Sequence, residues 1–128
     1  MKINELDHLV LTANDIDKTI TFYTEVLGME LVQTDVERKS LRFGNQKINL
    51  HKAGQEISPH AKHPLPGTAD LCFVTETPMQ QVIEHLNSYK ITIIDGPAER
   101  TGTTGPLLSI YIRDPDGNLI EISNQFEK

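Results

Sequence analysis

The sequence predicts an α+β fold made of two βαβββ units. Three observations predict it: an internal period, the placement of helix caps and one strong turn near the C-terminal end. His8 and Asp70 lie near the starts of apolar strands, 62 residues apart, and the capping residues Asn14 and Thr77 stand 63 apart. The turns Gly44-Asn45 and Asp116-Gly117 are 72 apart, so the second unit carries about ten extra residues, assigned to a loop over 96–105. A period of this length constrains a fold more than a single motif does, because each repeat must bury its apolar face against a neighbour. The two units are expected to share one core in a single domain over 1–128, as unit one (1–53), a connector (54–67) and unit two (68–128).

Residues 6–12 alternate as a strand, with Leu9 and Leu11 on one face and Leu6, His8 and Val10 on the other, which places His8 on an apolar face. Asn14 then caps a helix. Asp15 and Asp17 suit its positive end, and Ile16, Ile20, Tyr23, Val26 and Leu27 recur at three- and four-residue intervals until Gly28 ends it. Runs at 29–34, 40–44 and 47–53, separated by polar turns, read as successive antiparallel strands. Residues 54–67, with His60, His63, Pro64, Pro66 and Gly67, read as a connector with both histidines facing solvent.

The second unit repeats the order. Residues 69–75 form an apolar strand, and Thr77-Pro78 supplies a cap and a first-turn proline to a helix ending near Tyr89, with His85 on its polar side. Residues 91–94 read as a strand, 96–105 as irregular, and 107–113 and 118–124 as strands. Asp114-Pro115-Asp116-Gly117 joins the last two: proline presets φ and glycine accepts a positive one.

Composition narrows function. The 128 residues carry a formal charge of −6 with no basic block, which argues against nucleic-acid and polybasic membrane binding. No apolar run reaches the ~20 residues of a membrane span, residues 1–5 lack a signal-peptide core, and the cytoplasm is the expected compartment. The single cysteine, Cys72, excludes an internal disulfide and is expected to be a small buried apolar residue.

The chemistry centres on Glu121. In the strand after the turn, Leu119, Glu121 and Ser123 face one way and Ile120 and Ile122 the other. A carboxylate there is either solvated or held by a cation. Arg42, Lys47, Arg100 and Arg113 could meet an anionic substrate, but nothing in the sequence orders them.

Asp7-His8-Leu9, Phe22-Tyr23 with Leu27-Gly28-Met29, and Asp114 through Glu121 together resemble the vicinal oxygen chelate superfamily, which includes glyoxalases, fosfomycin-resistance proteins and extradiol dioxygenases. The resemblance covers essentially the whole chain and is closest to small single-domain glyoxalase-like proteins. It implies that the two modules form an incomplete barrel, within a homodimer, around a divalent metal (Zn, Ni, Mn, Fe or Co). Ligand positions lie on the first and last strand of each module. His8 matches the first of these and Glu121 the last. Asp70 stands where many relatives carry histidine. In module one the offset aligns Asn49 with Glu121, whereas His51, two residues on and about 6.6 Å along the strand, is chemically the better donor. The metal set implied is thus His8, His51, Asp70 and Glu121.

The activity implied is that of a metal-dependent lyase or isomerase on a small oxygen-chelating substrate. The metal would act as a Lewis acid stabilising an enediolate, and Glu121 would be both ligand and base. No motif supports glutathione dependence. An extradiol-type dioxygenase or a thiol transferase is the second reading, and with Asp70 in place of a second histidine it needs His51 as a ligand. A metal-free protein that sequesters a small planar or hydrophobic molecule is the third.

Overall fold

A computed structural model describes residues 1–127. Contacts divide the chain into two compact units, Met1–Gly67 and Thr68–Lys128. Each contains one four-stranded sheet.

In unit one the strands are β1 (His8–Ala13), β2 (Glu30–Gln33), β3 (Lys39–Phe43) and β4 (Gln46–Lys52), in the spatial order β1-β4-β3-β2. β1 runs parallel to β4, and the other two pairings are antiparallel. Unit two repeats this with β5 (Asp70–Val74), β6 (Asp95–Thr101), β7 (Pro106–Arg113) and β8 (Leu119–Gln125), in the order β5-β8-β7-β6. The recurrence of one strand order and one pattern of directions is the internal repeat seen in the sequence.

Alternation along the strands decides which face is covered. In unit one Leu11, Ala13, Leu41, Ile48 and Leu50 are buried on one face, as are Phe22, Tyr23 and Val26 of the helical segment and Met29 just beyond it. In unit two Ile110, Ile112, Ile120 and Ile122 are buried, as are Met79, Val82 and Leu86 of the helix α2 (Met79–Ser88). The opposite faces of both sheets carry the polar side chains.

Several local expectations need correction. The first helix is capped by Asp15, whose carboxylate accepts from Lys18 N at 3.1 Å, and not by Asn14. It is α-helical only over Ile16–Thr21 (α1) and continues as a π-helical turn over Phe22–Val26. The wider turn leaves Phe22, Tyr23 and Val26 buried together, while Ile16 and Ile20 are only half-buried. Pro78 itself occupies the cap position of α2, with no side-chain cap bond from Thr77. Residues 91–94 are not a strand, whereas β6 runs through most of the stretch expected to be irregular. Its pairing to β7 shifts register between Asp95 and Ala98, and this bulge takes up Gly96 and Pro97.

The Asp114–Asn118 turn is tied from inside. Asp114 Oδ1 accepts from the backbone N–H of Asp116 and Asn118, both at 2.9 Å, and Oδ2 accepts from Asn118 Nδ2 at 2.8 Å. Asn118 Oδ1 in turn accepts from Ala69 N at 2.9 Å, which fixes the turn to the start of β5. Both side chains are buried, so these bonds satisfy groups that would otherwise be costly to enclose. The result is a fixed register for β8, and with it the position of Glu121. No helix among the described residues is long and apolar enough to cross a membrane.

Candidate active site

The polar face of unit two carries a pocket of about 500 Å³ lined by residues of β5, β6, β7, β8 and the 102–104 loop, Glu121 among them. Strand register explains its make-up. Cys72 pairs with Glu121 across β5 and β8, Glu121 with Tyr111 across β8 and β7, and Tyr111 with Asp95 across β7 and β6. Paired residues project to the same side, so a thiol, a carboxylate, a phenol and a second carboxylate form one row across the sheet, with strands ~4.8 Å apart.

Glu121 is half-buried. Ser109 and Ser123, both fully buried, share a hydrogen bond of 2.6 Å, and the Ser123 hydroxyl lies 3.4 Å from Glu121 Oε2 and 3.3 Å from Cys72 Sγ. Buried serines thus support one side of the carboxylate while the other opens to the pocket. Tyr111 is held from β6: Arg100 Nε donates to its hydroxyl at 3.0 Å, and the Arg100 guanidinium carbon lies 5.5 Å from its ring centroid. Its hydroxyl therefore accepts from Arg100 and keeps its own proton for donation.

Cys72 is not the buried apolar residue expected. It is exposed on the open face of β5, since Asp70, Cys72 and Val74 share a side. The pocket wall still shields part of the sulfur, and this burial raises the thiol above its ordinary range. The Ser123 hydrogen bond opposes the rise, and the negative charge of Glu121 adds to it. Cys72 should consequently be a slow nucleophile at neutral pH. The rate of its alkylation by iodoacetamide should have a midpoint above the ~8.5 of an unperturbed cysteine, and unfolding in urea should bring the midpoint back down. Because the folded value is the higher one, the small stability this proton contributes is present below the unfolded value and lost as pH rises through the folded one.

The other sequence-predicted donors fall as follows. His8 is exposed beside Val10, so its face is open and not a packed apolar one, and its Nδ1 lies 2.9 Å from Asp7 Oδ2. His51 shares that face of unit one, but the β1–β4 register sets it opposite Thr12 while His8 is opposite Lys47. Four residues of strand, about 13 Å, separate the two rungs. Asn49 pairs with Val10 as Glu121 pairs with Cys72, which makes Asn49 the positional counterpart of Glu121, and its Oδ1 accepts from Ser40 Oγ at 2.8 Å. His51 keeps a buried Nδ1 with no hydrogen-bond partner, an open donor or acceptor position. Asp70 is exposed and diagonal to Glu121 across β5 and β8. Among the described residues no three His, Cys, Asp or Glu side chains converge as a metal would require. His60 and His63 are exposed, as expected, and so is His85, whose ring is tilted 58° to that of Tyr89 with centroids 5.1 Å apart.

Tyr111 and Arg100 are the site residues that the sequence left undistinguished. A signal for Tyr111 was present: the hairpin turn centred on Asp116 puts residues 111 and 121 at equal distances on its two arms. Arg100 is one of four cations that the sequence leaves unordered, because its strand reads as loop.

These features meet in one known family. A model of the glyoxalase/bleomycin resistance protein/dioxygenase superfamily matches residues 5–122, and the chain belongs to that superfamily. The chain is 57% identical over 123 residues to virulence protein STM3117 of Salmonella typhimurium, spanning 96% of this chain and 85% of that one. The crystal structure of STM3117 superposes with a TM-score of 0.96, covering 98% of this chain and 100% of the other at 56% identity. The glyoxalase domain-containing protein RDO1 of Mycosarcoma maydis is 52% identical over 124 residues, which is 97% of this chain and 70% of RDO1. A lactoylglutathione lyase from Agrobacterium tumefaciens shares the fold at a TM-score of 0.74 and 22% identity, covering 97% of this chain and 96% of that one.

Proposed function

We propose that the chain is a metal-dependent lyase or isomerase of glyoxalase type, acting on a small substrate with adjacent oxygens, and that Glu121 moves the proton. The observation that carries this reading is the position of Glu121. It is half-buried on the wall of a 500 Å³ pocket, supported by Ser123 behind it and placed on one row with Tyr111. A carboxylate open on one side only can approach a carbon acid within hydrogen-bond reach. The Tyr111 hydroxyl, fixed by Arg100, is a donor for an oxygen of the same substrate. Thr103 and Thr104 line the pocket, and Leu107, buried beneath the 102–105 turn, is its apolar floor.

A divalent metal would draw its ligands from His8, His51, Asp70 and Glu121, and because the rungs of His8 and His51 lie about 13 Å apart in unit one, those two would come from different chains. Imidazole and carboxylate donors suit Zn, Ni, Mn, Fe or Co, and the unpartnered Nδ1 of His51 fits a group awaiting a partner. When bound, such an ion supplies Lewis acidity at a substrate oxygen. Among the described residues no three His, Cys, Asp or Glu side chains converge, and in this reading a homodimer completes the set. The compartment proposed is the cytoplasm.

The test is solvent exchange. Purified protein supplied with Mn²⁺, Co²⁺, Ni²⁺ or Zn²⁺ is incubated in D₂O with small 2-hydroxy carbonyl compounds, and deuterium at the carbon next to the carbonyl is followed by proton NMR. Catalysed exchange in at least one combination is the expected result. Binding without exchange across the panel would instead favour the sequestering reading.

A further inference from the structure

We propose that the unit-two pocket selects small carboxylic acids and that Arg100 is the residue that reads the carboxylate; the proposal rests on the reading of Glu121 given above. Among the residues lining the pocket, Arg100 is the cation and Glu121 the carboxylate. A substrate placed between them meets a base at one end and a guanidinium at the other. The protein as a whole carries a charge of −6, so its general field does not draw anions in. Recognition of an acid has to be local.

The guanidinium is oriented for that task. Nε donates to Tyr111 Oη at 3.0 Å, one terminal nitrogen donates to Glu99 O at 2.9 Å, and the other lies 3.6 Å from Asp95 Oδ2. The head also stacks on the Tyr111 ring, 5.5 Å from its centroid. Five N–H groups are available and the two hydrogen bonds engage two, which leaves one on the terminal nitrogen bonded to Glu99 and both on the one facing Asp95, enough for a bidentate carboxylate. The Asp95 contact is the weak one. Both side chains are substantially exposed, 39% and 64%, and an ion pair so placed is easily displaced by a better-aligned carboxylate. The Tyr111 and Glu99 contacts then keep the head in place while the ligand replaces Asp95.

The wall opposite adds a further donor. Gln125 Nε2 donates to Thr104 Oγ1 at 3.2 Å, so the Thr104 hydroxyl retains its own proton for a ligand oxygen. The 102–105 turn that carries it is closed by a bond from Gly102 N to Gly105 O at 2.8 Å. A Cβ at Gly102 would lie 2.8 Å from Gly105 O and 2.9 Å from the Leu107 side chain, so this wall depends on glycine there.

Lactate and 2-oxobutyrate, each set against its neutral amide, test the proposal by ¹⁵N-labelled NMR titration at constant ionic strength. Both acids should bind the wild-type protein at least tenfold more tightly than their amides, with shifts centred on residues 100–104 and 111. Arg100→Lys, which keeps the charge but loses the planar fork, should weaken acid binding about tenfold, and Arg100→Met should reduce it to the level of the amides. Tyr111→Phe, which frees the head without removing it, should have an intermediate effect. Amide binding should be the same in Arg100→Lys and Arg100→Met as in the wild type, which reports an intact pocket. Equal affinity of wild type for acid and amide, no acid binding at 50 mM, or full acid affinity in Arg100→Met would overturn the proposal. Glu121→Gln should keep Arg100-dependent binding. Binding that survives there while no substrate shows exchange separates a failure of the proposed reaction from a failure of this inference.

Discussion

Glu121→Gln should lower catalysed deuterium exchange by about 10²- to 10⁴-fold, the range that a positioned general base contributes, while leaving the fold intact. Glutamine has the shape of glutamate and can still meet the Ser123 hydroxyl, which lies 3.4 Å from Oε2 in the wild type. It has no basic oxygen. The pairing of Glu121 with Cys72 and Tyr111 runs through the backbone and does not depend on the charge. The thermal midpoint is therefore expected to stay within a few degrees, and rate and stability should separate. A parallel fall in both would make Glu121 a structural residue.

The largest effect on stability is expected at Gly96, far from the chemistry in kind but close to it in the sheet. Its φ is +91°, a region that side chains other than glycine rarely adopt, and a Cβ there would lie 2.3 Å from the backbone oxygen of Ser109. Neither atom belongs to a flexible side chain, so Gly96→Ala has to push β6 away from β7. We expect a loss of about 3–5 kcal/mol, a large part of a typical 5–15 kcal/mol stability, from backbone strain and lost pairing together. Gly28→Ala is the control. Gly28 also has a positive φ, +73°, but nothing lies within 4 Å of its added Cβ, and its cost should be about 1–2 kcal/mol. Urea denaturation of both variants checks the difference. Equal midpoints would show that φ alone, and not the close approach to Ser109, governs Gly96. Because Arg100 and Asp95 ride on β6, Gly96→Ala should also disturb the grip on Tyr111.

Much of this fold was legible in the sequence. The two-residue alternation of 119–123 sets Glu121 on the face opposite Ile120 and Ile122, and the Asp-Pro-Asp-Gly turn marks the hairpin that aligns it. The repeat was legible because its spacings survive in strands and turns, which tolerate few insertions. What escaped had competing local signals. Gly96, Pro97, Thr101 and Gly102 read as loop, yet ladder bonds to β7 and a bulge hold most of that stretch as β6. Ile91 to Ile94 read as strand from β-branched content, but the backbone bond reaching it from β7 is Ile94 N to Tyr111 O. Residue type assigns Cys72 to the interior, whereas the structure sets it on the exposed side of β5 with Asp70 and Val74. The donors other than Glu121 were legible as residue types, whereas their spacing along β1 and β4 depends on a register that only strand pairing reveals.

The central claim, that Glu121 and His8 serve one metal-dependent site, is tested most directly by calorimetric titration of Co²⁺ and Mn²⁺ into metal-stripped protein. One ion per chain is expected for the wild type. Glu121→Gln and His8→Ala should each weaken binding by more than the 10- to 100-fold that loss of an outer-sphere partner costs. Absence of binding in the wild type, or unchanged affinity in both variants, would contradict the account.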